Sequence, residues 1–162
     1  MANSVNEKKE AGVVQSELEV IFAAPQKKVW DALTKDIHRW WPKEFFAMPQ
    51  SNKFVLEAKL GGRMFESAGT KGGVIWGTVI AIEPLRFINI AGYLAPPFAG
   101  PALTLFRLSL ESAGKNLTTL KISDSIIGSV TDQTQSATQD GWKFLFADKL
   151  KTFVESPRKS KK

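Results

Sequence analysis

The segment TDQTQSATQDGWKFLFADKLKTFVE, Thr131 to Glu155, decides how the rest of this chain is read. At a period of 3.6 residues, Trp142, Leu145, Phe146, Leu150 and Phe153 fall on one stripe, while Asp140, Lys143, Asp148, Lys151 and Glu155 lie on the other side. The pattern predicts one long amphipathic helix, capped by Thr131 or Asp132. Toward the start of the helix the same inward sector is taken by Gln135, Thr138 and Gln139. One half is therefore expected to pack dry against a sheet, and the other half to face something polar.

Upstream the chain is rich in strand signals. Ser16 to Ala23 sets Leu18, Val20 and Phe22 against Glu17, Glu19 and Ile21, the alternation of a strand with one core face. Pro25 then suits a first helical turn, and Gln26 to Thr34 supplies a short helix with Val29, Trp30 and Leu33 inward. A second short turn runs from Asp36, its expected cap, to Trp41. Further strands are expected at Lys53 to Leu60, with Phe54, Leu56, Ala58 and Leu60 inward, and at Arg63 to Ser67. Val74 to Ile82 is apolar on both sides, as in a central strand covered on one face and partly on the other; Arg86 to Gly92, Ala102 to Glu111 and Leu117 to Ile127 complete the set. Gly61, Gly62, Gly69, Gly72 and Gly73 match neither phosphate-loop spacing and read as hairpin turns.

A chain of 162 residues fits one domain. Residues 16–155 are expected to form it, with a flexible segment at 1–15 and a disordered basic tail at 156–162. The net charge of +6 invites a nucleic-acid reading, but Arg158, Lys159, Lys161 and Lys162 supply most of it and leave only +2 elsewhere, so no nucleic-acid partner is expected. The absence of cysteine excludes disulfides, thiolate metal sites and cysteine nucleophiles. No metal or cofactor motif is present, so neither a metal nor a cofactor is expected. The polar start carries no signal peptide, and no run is apolar enough for a membrane span. The expectation is a cytoplasmic chain without integral membrane association.

Six motifs occur in order: KVWDALT (Lys28 to Thr34), IHRWWP (Ile37 to Pro42), LGGRMFES (Leu60 to Ser67), WGTVIAIEPLRFI (Trp76 to Ile88), NLTTLKISDS (Asn116 to Ser125) and GWKFLFADKLKTFVE (Gly141 to Glu155). Together they resemble the START and Bet v 1-like (SRPBCC) superfamily, and within it the family sharing the C-terminal domain of the activator of Hsp90 ATPase. The resemblance implies an α+β helix-grip fold: a curved antiparallel sheet of six or seven strands wrapped around the C-terminal helix, with two short helices after the first strand. It also implies a cavity for an apolar small molecule. Where many relatives carry a histidine late in the final strand this chain has Asp124, so no role of that histidine carries over.

Asp124 shares its strand face with Leu120, Ile122 and Ile126. A carboxylate on an apolar face is costly unless something answers it, and the candidates are Gln135, Thr138, Gln139, Arg107 or a ligand. Trp40, Trp41, Phe45, Phe46, Trp76, Phe98, Phe106 and Trp142 are expected around a cavity or its mouth, with Asp124 and Gln135 or Gln139 as its polar anchors. His38, the only histidine, has no nucleophile nearby in sequence and reads as structural or solvated. Glu57 and Glu66 could meet across the hairpin at Gly61, but read as surface carboxylates. No catalytic residue is assigned.

The expected function is binding of a hydrophobic or amphipathic small molecule. The alternatives are a cyclase- or hydrolase-type enzyme using Asp124, Glu66 or His38 and, from the resemblance alone, interaction with an Hsp90-type ATPase. The apolar loops Lys43 to Asn52 and Leu94 to Pro101 are expected to rim the cavity; a homodimer through them is the competing explanation.

Overall fold

A computed structural model describes residues 1–94 and 100–157. Strand β1 (Gly12–Phe22) is followed by α1 (Gln26–Leu33) and α2 (Ile37–Trp40), then by β2 (Lys53–Leu56), β3 (Arg63–Ser67), β4 (Gly73–Glu83), β5 (Phe87–Leu94), β6 (Ala102–Gly114) and β7 (Leu117–Gly128). The seven strands form one antiparallel sheet in the order β1-β7-β6-β5-β4-β3-β2. β1 and β2 are consecutive in sequence but lie on opposite edges, so α1 and α2 carry the chain from one edge to the other. Register shifts within the β3–β4 and β4–β5 pairs are the bulges that bend a sheet of this length. Gly77 and Gly92 face each other across β4 and β5, where a Cβ on Gly92 would stand 2.1 Å from the Trp76 carbonyl oxygen. Only glycine permits that approach.

The C-terminal helix runs through α3 (Asp132–Trp142), a π-wound segment (Lys143–Leu150) and α4 (Lys151–Glu155), with helical dihedrals at both junctions. Thr131 is its cap, exchanging hydrogen bonds with Thr134 in a reciprocal box. That box fixes the phase of the first turns, so Thr134 and Thr138 turn inward while Gln135 and Gln139 stay exposed.

The π-wound turns are wider than 3.6 residues, and they keep Phe146, Leu150 and Val154 in line at intervals of four. Val154 is accordingly buried, while Phe153, expected on the stripe, is half-buried beneath the Arg39 guanidinium. Leu145, Phe146, Leu150 and Val154 close the core against Val20, Phe22, Leu108, Leu110, Leu120 and Ile122.

Four local expectations are corrected. β1 starts at Gly12 rather than Ser16. β2 ends at Leu56, where the chain turns so that the Lys59 and Gly62 amides bond the Glu57 and Lys59 carbonyls; Ala58 and Leu60 are left exposed. Asp36 makes no capping hydrogen bond and pairs with Arg39 at 3.5 Å instead. Ile75 and Ile80 of β4 are exposed, because no second layer covers the outer sheet face among the described residues. On that face Tyr93, Leu103, Ile127 and Val13 form one exposed row across β5, β6, β7 and β1.

Candidate functional site

Strand alternation puts Thr104, Phe106 and Leu108 of β6 on the inner face, and β7 answers with Ile122, Asp124 and Ile126. Phe106 and Asp124 are direct cross-strand partners. The helix passes above them at Thr138, Gly141 and Trp142, and between helix and sheet lies a cavity of about 120 Å³. Met64, Trp76, Ile90, Phe106 and Trp142 provide apolar wall, and Phe45 closes one side from the loop after α2. Thr104 and Thr138 contribute hydroxyls, and Asp124 is the one charged side chain in the lining among the described residues. The exposed Tyr93 and Ala137, also in the lining, set its mouth between the end of β5 and the first turns of α3.

Asp124 is 3% exposed. Its Oδ2 accepts a hydrogen bond of 3.0 Å from the Trp142 indole N–H, which places Trp142 in a stack with Phe106 at 4.7 Å. Its Oδ1 is buried and meets no hydrogen-bond donor among the described residues. Burial pushes the carboxyl pKa up to about 6, against the smaller opposing pulls of the Trp142 N–H and then the Thr104 hydroxyl. Arg107, considered as a partner, is exposed and lies over the Phe87 ring at 4.7 Å.

Glu66 reverses its expectation. It is 1% exposed on β3, not a surface residue, and its carboxylate accepts from four donors: the Ala47 and Met48 amides, the Ser51 hydroxyl and the Trp76 indole. This clamp ties the apolar loop 43–52 against the sheet, with Phe45, Phe46 and Met48 half-buried. Glu57 does not meet Glu66 but takes both the Nε and Nη2 of Arg63 at 3.1 and 2.9 Å, which holds its carboxyl down at about 2.

The structure thus brings Trp142, Trp76, Phe106 and Asp124 together on one cavity. Gln135 and Gln139 point to solvent and are absent from the lining, a correction that follows from the helix phase set at Thr131. Trp41 is buried in the core below, stacked on Phe54 at 3.8 Å, and is likewise outside the lining. Phe98 lies outside the described residues, as do most of the 94–101 loop and the basic residues of the tail. His38 is exposed on α2. Thr104 and Met64 were not singled out from sequence; stepping back by two along the inward alternation of β6 from Phe106 reaches Thr104. Among the described residues no cluster of His, Asp and Glu could hold a metal ion, and no helix is long and apolar enough to cross a membrane.

A seven-stranded antiparallel sheet gripping its C-terminal helix over an apolar cavity is the helix-grip architecture of the START and Bet v 1-like superfamily. Solved structures agree. Ara h 8.0201 superposes with a TM-score of 0.66 at 17% identity, covering 90% of this chain and 100% of that one. Protein MLL2253 from Mesorhizobium loti gives 0.64 at 22% identity, covering 87% and 96%. CalU16 from Micromonospora echinospora gives 0.60 at 18%, covering 91% and 86%. These identities speak to fold alone. Residues 23–155 match the family described as Activator of Hsp90 ATPase homolog 1-like protein, and the chain belongs to that family. No curated protein matches the sequence.

Proposed function

We propose that this protein binds a hydrophobic or amphipathic small molecule in the cavity between sheet and helix. The observation that carries the reading is an apolar-walled space of about 120 Å³ whose lining holds, among the described residues, a single charged group. Mostly apolar walls with few polar anchors are what small-molecule sites use, and a space of this order holds one aromatic ring. Trp142, Phe106 and Trp76 would be its walls and Asp124 its anchor. The stack of Trp142 on Phe106 and its bond to Asp124 support a preformed site, which lowers the ordering cost of binding.

The test is a titration with toluene followed by amide NMR. Shifts concentrated on Met64, Ile90, Phe106, Gly141 and Trp142 are expected. Saturable binding with shifts elsewhere, or no binding, would refute the reading.

A second reading, acid–base catalysis in the same cavity, is favoured by one observation, the Asp124 carboxyl with its pKa raised to about 6. It requires turnover of a candidate substrate to vanish in Asp124→Asn while binding persists. Stimulation of an Hsp90-type ATPase is suggested by the family's description and by no feature of this site.

A further inference from the structure

We infer that the cavity takes a ring-sized apolar molecule bearing a protonated amine, whose N–H docks on Asp124 Oδ1. The inference rests on the ligand-binding reading above and names the ligand's polar group. Three observations lead to it.

First, Asp124 is more than nine-tenths buried and lines the cavity, with Oδ2 committed to Trp142 and Oδ1 without a hydrogen-bond partner among the described residues. A buried acceptor left unmatched is costly, and a ligand N–H or O–H in the cavity removes that cost. Second, among the described residues no lysine, arginine or histidine stands in the lining to balance the carboxylate, and Arg107, the basic residue of β6, is turned to the outer face over Phe87. A hydroxyl would satisfy the lone pair and leave the charge unpaired, whereas an ammonium answers both. Third, the remaining wall is aromatic. Trp142, Phe106, Trp76 and Phe45 surround the space into which the cation would bring its ring, and aromatic faces attract cations as well as apolar bodies.

The contrast with Glu66 sharpens the point. That carboxylate is equally buried and collects four donors from its own chain. The fold can saturate an inward carboxylate where its only role is structural, and at Asp124 one oxygen is left without a hydrogen-bond partner among the described residues.

The experiment is calorimetric titration of the full chain and of Asp124→Asn at neutral pH with benzylamine, benzyl alcohol and toluene, which share a ring and differ in the polar group. Benzylamine is expected to bind the native chain roughly tenfold or more tightly than benzyl alcohol, as a charge-assisted hydrogen bond would provide. In Asp124→Asn that preference should collapse, with toluene binding retained as evidence that the cavity is intact. If benzyl alcohol or toluene binds the native chain as tightly as benzylamine, the amine inference is overturned while ligand binding stands. If none of the three binds, both readings fall. The comparison in the native chain decides the matter even if the variant folds poorly, and an amine preference that survives in a folded Asp124→Asn also overturns it.

Discussion

Glu66 and Asp124 are two inward carboxylates on one sheet, each bonded by an indole N–H at 3.0 Å, and they have opposite surroundings. Around Glu66 the chain gathers two amides and a hydroxyl besides the indole, and the loop that supplies them is pulled down onto the sheet. Around Asp124, which lines the cavity, the chain leaves one buried oxygen without a hydrogen-bond partner among the described residues. Burial alone does not mark a functional carboxylate; the number of partners its own chain gives it separates a structural clamp from a group held ready for something else.

Changes at these two residues and their neighbours break the comparison in a graded way. The largest effect is expected from Glu66→Ala, which strands four donors at a buried site, three of them from partly buried residues, and should cost about 4 kcal/mol in denaturant unfolding. If that variant does not fold, Glu66→Gln should still show a loss of about 2 kcal/mol, because an amide NH₂ now faces donors.

Asp124→Asn should act in the opposite direction. The folded pKa of about 6 stands above the unfolded value of 3.8, so protonation favours the folded state. The penalty is absent below the unfolded value, grows as pH rises through the window between the two, and is complete above the folded one. Replacing the carboxyl by an amide that can still accept from Trp142 is expected to raise stability by about 2–3 kcal/mol at pH 7 and by little at pH 4. Unfolding curves at the two pH values check the sign.

Trp142→Phe removes the hydrogen bond that Asp124 Oδ2 accepts from the indole N–H. It should lower stability at pH 7 by about 1–2 kcal/mol and raise the Asp124 pKa further, readable by carboxyl NMR. The smallest effect is expected from Arg63→Ala, since the Glu57–Arg63 pair is exposed, and its unfolding midpoint should stay within error of the native chain.

Much of this architecture was legible in the sequence. Period-two alternation located the strands, and the stripe from Trp142 to Leu150 identified the gripping helix, because burial of one face imposes both patterns. Asp124 stood out as a carboxylate in an apolar phase. What stayed hidden depended on geometry that a fixed period does not carry. The capping box at Thr131 turned Gln135 and Gln139 outward, and wide turns after Trp142 exchanged Phe153 for Val154. The role of Glu66 was hidden because its partners come from Ala47, Met48 and Ser51, a loop whose path no local pattern encodes.

The most direct test of the Asp124 assignment is its own titration, followed by carboxyl NMR in the free protein and with saturating benzylamine. The account predicts a pKa of about 6 in the free protein, falling on addition of the amine as the ammonium stabilises the charged form. A free Asp124 that titrates at the ordinary carboxylate value, or one whose titration does not move with the amine bound, would contradict it.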